Sequence, residues 1–176
     1  MFRAYKTELD LNNRQRTMMS QCSGTARFVF NWALADRIER HKVNLPTNKF
    51  EQKRRFNALK VESFPWIYEV PSKIMEEEFA KCDTAFQNFF RRVKKGEKPG
   101  FPKFKSKKHG INSFTLRGSI SVEPNRVKLP RIGWLRLKES QYLPIEGVKI
   151  LFANISHSAG HWFISLQVEQ PDIEPS

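Results

Sequence analysis

The sequence predicts an α+β protein in which a helical domain is inserted, after a first strand, into a small β-barrel. Three observations support this fold. Up to about residue 96 the apolar side chains recur every three or four positions, as in helices. After residue 110 they alternate, as in strands. The first residues also alternate, yet no strand follows them closely, and a lone strand is not stable by itself.

The first strand is predicted over residues 1–11, where Tyr5, Thr7 and Leu9 fall on one face. Because helical segments follow directly, this strand is expected to join the C-terminal sheet. We therefore expect five parts in the chain. They are the first strand (1–11), a helical domain (12–96), a basic loop (97–110), the β-barrel (111–171) and a tail (172–176).

Three helical segments are predicted. Asn12 and Gln15 have the spacing of a capping box, and Gly24 leaves open whether one helix or two follow it. A second helix is expected over about 47–60. The third runs from Pro71, which tolerates a first helical turn, to Gly96, which suits a helix end. Its acidic residues 76–78 lie near the positive end of the helix dipole.

The strands of the barrel are short and separated by Gly, Pro and Asn. Residues 147–169 read as a β-hairpin, with its turn at Ser158-Ala159-Gly160. Shorter strands are predicted over 112–117, 119–123, 126–129 and 132–138. Closure of these strands into a barrel would remove exposed sheet edges.

Composition excludes several classes of protein. The 15 Phe among 176 residues provide a core that a disordered basic tail lacks. The chain has no apolar run of about 18 residues, so no membrane span is predicted. The residues after Met1 also lack the apolar segment of a secretory signal. We therefore expect a cytoplasmic protein without a membrane partner. Cys22 and Cys82 fit reduced buried thiols better than a disulfide.

The net charge of +13 is concentrated in one segment. Residues 91–110 contain nine basic and one acidic side chain, whereas residues 1–90 contain fifteen and eleven. Such a cluster predicts an anionic partner, with nucleic acid the first candidate and an acidic membrane surface the second. Phe101 and Phe104 alternate with its lysines, either as anchors to a core or as surfaces that stack on bases.

Residues for catalysis are not found. His157 and His161 flank a hairpin turn, where their spacing does not suit a metal, and no nucleotide-binding or hydrolase motif occurs. A two-metal nuclease needs several carboxylates that converge on one pocket, and the predicted strands carry few. We therefore expect no cofactor, no metal and no enzymatic activity for this chain.

Three ordered segments resemble the TnpB (OrfB) proteins of bacterial insertion sequences. The first is SGTARFVFNWAL at residues 23–34. The second combines AFQNFF at 85–90 with GFPKFK at 100–105, and the third is VKLPRIGW at 127–134. The resemblance extends over nearly the whole chain, with the segments in the order expected for the family.

The resemblance implies a fold and an activity. TnpB proteins are RNA-guided DNA endonucleases, in which a helical recognition domain is inserted into a wedge-type β-barrel and a RuvC-like nuclease domain with a zinc ribbon follows. The present sequence ends near where the first nuclease strand is expected, so the acidic triad and zinc cysteines are missing. The expectation is a fragment or a natural truncation without nuclease activity.

The same resemblance implies binding of a guide-RNA scaffold and of duplex DNA at a short motif beside the target. Ser72, Lys73 and Glu76 match the helix turn that approaches this motif, although Glu76 could simply complement the helix dipole. The expected phosphate contacts are basic residues, and the two phenylalanines complete the predicted site. These residues are Arg27, Arg91, Arg92, Lys94, Lys95, Lys103, Lys105, Lys107, Lys108, Phe101 and Phe104.

Two other functions remain open at this point. A stand-alone DNA-binding regulator or transposase would use the N-terminal helices as a helix-turn-helix and bind palindromic half-sites as a dimer. A protein-interaction module would dock the basic loop on an acidic partner. The guide-RNA hypothesis instead predicts a monomer without a partner chain.

Overall fold

A computed structural model describes residues 1–110 and 112–171. They form two compact units, one of residues 1–23 and 112–171 and the other of residues 24–110. The helices are α1 (Asn13–Lys42), α2 (Lys49–Ser63) and α3 (Ser72–Lys95), with short 3₁₀ turns at Pro65–Glu69 and Lys107–His109. The strands are β1 (Phe2–Asp10), β2 (Ser113–Leu116), β3 (Ser121–Glu123), β4 (Arg126–Leu129), β5 (Gly133–Leu137), β6 (Lys149–Ser158) and β7 (His161–Glu169).

The first unit is built on a seven-stranded antiparallel sheet with the order β2-β6-β7-β1-β5-β4-β3. Strand β1 lies in its centre. Phe2–Glu8 pair with β7, and Leu9 and Asp10 pair with β5. The predicted α+β class and the insertion of helices after the first strand are therefore confirmed.

The sheet is not the closed barrel that the sequence analysis predicted. Among the described residues, β2 and β3 end the strand order and do not pair with each other. They have four and three residues, so each offers few backbone groups for a closing ladder. Short edge strands also limit pairing with other chains, which gives an open sheet some protection without closure.

Buried and exposed side chains alternate along β1 and β7, as predicted. Thr7 and Leu9 are buried while Lys6 and Asp10 are exposed, and β7 buries Trp162, Ile164, Leu166 and Val168. The hairpin turn is also confirmed, since Ala159 and Gly160 adopt positive φ angles of 51° and 80°. A two-residue turn with two positive φ angles has a twist that matches the right-handed twist of the flanking strands.

Helix α1 begins with the predicted capping box. The Gln15 N–H donates to Asn12 Oδ1 at 2.8 Å, and the Asn12 N–H donates to Gln15 Oε1 at 3.1 Å. The helix then runs to Lys42 without a break at Gly24, so the stretch is one helix. Beyond Gly24 its buried face includes Val29, Ala33 and Leu34, at the predicted spacing.

The second unit packs its three helical segments around aromatic side chains. From α3, Phe79, Cys82 and Phe86 are buried, and they meet Phe56 of α2 and Leu34 of α1. Pro71 and Gly96 flank α3 as predicted, and Gly96 has the left-handed φ of 71° that favours glycine. Helix α2 extends to Ser63, and it leaves Phe50 73% exposed although Phe50 is apolar.

Two further expectations concern cysteines and membranes. Cys22 and Cys82 are both free and buried, and burial raises their pKa values to about 12 and about 11. The predicted burial of both thiols is confirmed. Among the described residues, no helix is both long and apolar enough to cross a bilayer.

Candidate nucleic-acid interface

The C-terminal end of α3 and the basic loop (residues 97–110) form one basic surface of the helical unit. The Gly96 N–H donates to Val93 O and the Glu97 N–H to Arg92 O, which ends the helix and turns the chain. The Arg92 guanidinium then donates to Pro99 O at 3.3 Å. The exposed cations of this surface are Arg91, Lys94, Lys95, Lys98, Lys103, Lys107 and Lys108.

Asn31 of α1 binds the backbone of the basic loop. Asn31 Nδ2 donates to Lys105 O at 2.8 Å, and the Lys105 N–H donates to Asn31 Oδ1 at 2.8 Å. This pair of bonds satisfies both backbone groups of Lys105 and fixes the middle of the loop. Asn31 was not among the residues predicted for the site. The sequence signal that could have indicated it is a polar residue between the aromatic residues Phe30 and Trp32.

Lys105 points inward rather than toward solvent. Its ammonium lies 3.4 Å from a carboxylate oxygen of Glu78 and 4.2 Å from the ring centre of Phe30. Burial lowers the pKa of Lys105, and the charge of Glu78 opposes that shift. Lys105 thus differs from the exposed lysines around it, because its charge is used inside the protein.

Glu78 is the residue that makes this arrangement possible. Its side chain is 1% exposed, and its second oxygen accepts from Lys81 at 3.1 Å. From the sequence, Glu76, Glu77 and Glu78 were all expected on the helix surface near the positive end of the helix dipole. The surface position is wrong for Glu78, because its side chain is buried. Helical spacing places it beside Cys82 on the buried face, where a lone carboxylate needs partners.

The two phenylalanines of the loop differ in their surroundings. The Phe101 ring meets Phe86 and Phe89 edge to face, at centroid distances of 5.6 and 5.2 Å. Phe104 is 55% exposed, and no ring contact involves it among the described residues. Phe101 is itself 48% exposed, so the two rings differ in their contacts with α3 rather than in their exposure.

The other predicted site lies at the opposite end of α3. A helix of 24 residues spans about 36 Å, so Ser72, Lys73 and Glu76 are far from the cations at its C-terminal end. The basic loop, in contrast, returns along the helix and reaches Glu78 through Lys105. Ser72 and Lys73 are exposed. Glu76 accepts from Lys53 at 2.6 Å and from Lys73 at 3.2 Å, and the hydrogen bond from Lys53 is the main cause of its lowered pKa.

Arg27 lies on α1, half-buried, and burial lowers its pKa. A guanidinium stays charged across the physiological range, so Arg27 carries a positive charge on the helical unit. Among the described residues, no group of three or more His, Cys, Asp or Glu side chains is arranged to hold a metal ion.

Residues 1–45 match a family model described as a helix-turn-helix domain of the OrfB_IS605 type. In the structure these residues form β1, the whole of α1 and the first part of the connection to α2. Over residues 1–45 the chain is thus similar to the helix-turn-helix domain of the OrfB proteins. The chain is related in sequence to the TnpB (OrfB) proteins, as its motifs predicted.

Two relatives extend this similarity to nearly the whole chain. The "Putative RNA-guided DNA endonuclease InsQ" of Escherichia coli (strain K12) is 30% identical over 174 residues, which cover 94% of this chain. A "Putative RNA-guided DNA endonuclease" of Streptomyces pristinaespiralis is 26% identical over 180 aligned positions, which cover 95% of it. The chain spans about 40% of the length of these curated relatives.

Proposed function

We propose that this chain is the nucleic-acid-binding N-terminal part of a TnpB-like RNA-guided DNA endonuclease, which holds a guide-RNA scaffold and a DNA motif beside the target. The observation that carries the proposal is the similarity to RNA-guided endonucleases along the whole chain, together with its exposed basic surface. The nuclease chemistry would belong to the part of the relatives that this chain does not match. Residues 12–96 would act as recognition domain and 111–171 as wedge domain.

In this proposal the basic surface binds phosphates. Arg91, Lys94, Lys95, Lys103, Lys107 and Lys108 are exposed, and among the described ion pairs none joins them to a carboxylate. Neutralisation of phosphates by such side chains releases counterions and drives binding of any sequence. Arg92 and Arg27 would add further phosphate contacts. Lys105 is reassigned from a phosphate contact to the support of the loop.

Base recognition is assigned to the first two turns of α3. Glu76 would accept from a cytosine amino group, and Lys73 would donate to guanine or to a phosphate. In the free protein Glu76 is occupied by Lys53 and Lys73, so binding of DNA must exchange these partners. Ser72, exposed beside them, supplies a hydroxyl that accepts or donates.

A second candidate is favoured by the helix-turn-helix description of the matched family model. In that case the chain is a stand-alone DNA-binding transposase or regulator, and it binds duplex half-sites as a dimer. The guide-RNA proposal predicts instead a monomer that prefers structured RNA over duplex DNA.

Sequencing of the RNA that co-purifies with the chain tests the proposal. We expect one structured RNA species to be enriched over total cellular RNA, and its recovery to fall when Lys103, Lys107 and Lys108 are changed to Ala. A chain that recovers RNA without enrichment, yet shifts a palindromic duplex as a dimer, would support the second candidate instead.

A further inference from the structure

A polar cleft of about 710 Å³ lies on the sheet unit, outside the predicted site. It is formed by the end of β1, the first turn of α1, and the strands β4 and β5 with the residues that flank them. Its size lies within the range of about 300–1,000 Å³ that small ligands occupy. None of its lining residues was predicted from the sequence as a binding residue, because the net charge of residues 111–176 is close to zero.

A stacked cation and ring form one wall of the cleft. The Arg126 guanidinium lies 4.0 Å from the ring centre of Trp134. Glu123 fixes it through two hydrogen bonds, at 2.6 and 3.2 Å. Because the Arg126 side chain is 44% exposed and lines the cleft, its outer side can receive a flat ligand. Unpaired nucleobases stack on guanidinium planes in this way.

The strand register gathers further cations beside this wall. Arg126 is opposite Arg136, and Lys128 is opposite Trp134. The alternate residues Val127 and Leu135 are buried, so the former four side chains share the solvent-facing side of the sheet. Three of the four are cations, which suits a ligand that carries a phosphate.

The end of β1 adds a hydrogen-bond acceptor to the cleft. Asp10, exposed at the end of β1, is the register partner of Arg136 and lines the cleft with Asn125 and Gln15. Guanine presents two adjacent donors, N1–H and N2–H₂, that a carboxylate accepts together. Its O6 and N7 are the acceptors that an arginine contacts as a pair. Neither adenine, cytosine nor uracil combines a donor pair for Asp10 with an acceptor pair for Arg136.

We propose that this cleft binds an unpaired guanine base of a nucleic acid. The base stacks on Arg126, its donor edge faces Asp10 and its O6 and N7 face Arg136, while its phosphate lies near Lys128. The proposal rests on the proposed nucleic-acid-binding function and adds to it a base-specific site on the sheet unit. RNA and single-stranded DNA are both sources of such a base.

Nuclear magnetic resonance of the full chain with mononucleotides provides the test. The Trp134 indole signal is assigned by Trp134→Phe and followed during titration with GMP, AMP, CMP and UMP. We expect GMP to shift this signal at millimolar concentration and to bind roughly tenfold more tightly than the other three. Asp10→Asn should abolish that preference, whereas Glu146→Gln, an exposed carboxylate outside the cleft, should leave it intact.

The titration separates this proposal from the proposed function. GMP does not require the basic loop, so its binding should persist in the Lys103, Lys107 and Lys108 alanine variant even where that variant loses RNA. If GMP leaves the Trp134 signal unchanged, or if all four nucleotides shift it equally, the guanine site is wrong.

Oligonucleotides then identify the source of the base. A uridine-tract RNA with one central guanosine and the thymidine-tract DNA with one central deoxyguanosine are compared with the same tracts without it. Tighter binding of the guanosine RNA alone identifies RNA as the source, and equal gains in both series identify the base itself as the ligand. No gain in either series would overturn the assignment to a nucleic acid.

Discussion

Glu78 shows how one buried carboxylate organises the helical unit. It lies on the apolar face of α3, and its two oxygens face Lys81 and Lys105. Lys105 in turn belongs to the basic loop, whose backbone Asn31 holds. A negative charge inside the unit thus positions a loop that carries positive charges to its surface.

Loss of that charge should weaken the fold. Glu78→Gln keeps the size of the side chain but leaves the buried ammonium of Lys105 without its counter-charge. Because both lysines retain some exposure, we expect the free energy of unfolding to fall by about 1–3 kcal/mol, measured by urea denaturation. Glu39→Gln removes a carboxylate from an exposed pair with Lys42 and should change it by about 0.5 kcal/mol at most. Equal effects of the two substitutions would contradict this role of Glu78.

Glu76 should contribute acid-sensitive stability. Lys53 and Lys73 hold its folded-state pKa below the ordinary value of 4.5. A carboxyl with a lowered pKa stabilises the fold above its unfolded pKa, and that contribution is lost as the pH falls through the folded pKa. We expect the stability difference between wild type and Glu76→Gln to be largest near neutral pH, to shrink as the pH falls below 4.5 and to vanish below the folded-state pKa, as followed by thermal unfolding. A difference that persists in acid would indicate packing rather than charge.

Helix α3 and the basic loop act together as the element that presents the basic surface. The left-handed Gly96 ends the helix, and Phe101 returns to the helix face against Phe86 and Phe89. These contacts fix the ends of a segment whose like charges repel. Asn31 holds the loop again at Lys105, and the neighbouring Lys103, Lys107 and Lys108 stay exposed, where phosphates can neutralise them.

Replacement of Lys103, Lys107 and Lys108 by Ala should weaken nucleic-acid binding for every sequence. Each neutralised phosphate contributes about 0.7–0.9 to the slope of log affinity against log salt, so the slope should fall by about 2–3. The ranking of different sequences should change little, because phosphates carry no sequence information. Fluorescence anisotropy at several salt concentrations measures both quantities.

A matched variant controls for net charge in that experiment. Lys6, Lys138 and Lys149 are exposed lysines outside the basic surface, and their replacement by Ala removes the same charge. This control should keep most of the salt slope. If both triple variants lose the same slope, the basic loop has no specific role and only total charge matters.

The sheet unit depends on a strand that is remote in sequence. Strand β1 lies between β7 and β5, while the helical unit is inserted between β1 and the remaining strands. The N-terminal ammonium of Met1 donates to Gln170 O at 2.8 Å, so the two ends of the sheet unit meet. Without β1, the backbone groups of β7 and part of β5 would lose their partners.

A permuted chain tests this dependence at the scale of the molecule. Residues 112–171, joined by a short flexible linker to residues 1–23, should fold as a monomer with strand content. Residues 112–171 alone should aggregate or remain unfolded, because β7 becomes an unpaired edge that carries Ile164 and Leu166. Circular dichroism and size-exclusion chromatography distinguish the two. A short piece that is as monomeric and as stable as the permuted chain would show that β1 is dispensable.

Local patterns were sufficient to predict most elements. Asn12, Pro71 and Gly96 mark helix ends through their own hydrogen bonding and backbone preferences, and these act over a few residues. Period-two alternation likewise identified the hairpin of β6 and β7. The position of β1 followed from one physical requirement, the pairing of backbone groups, which holds for any sequence.

Contacts between distant segments decided what the sequence could not show. The pairing of Glu78 with Lys105, the fastening of the loop by Asn31, and the open edges of the sheet depend on which segments meet in space. The cleft at Trp134 and Arg126 is a further case, because its acceptor Asp10 is more than a hundred residues away. The sequence by itself determined the α+β class, the elements and the concentration of charge, since these depend on residue type and short spacing. The tertiary structure alone decided which charges face solvent and which are paired inside, because burial is a property of the packed chain.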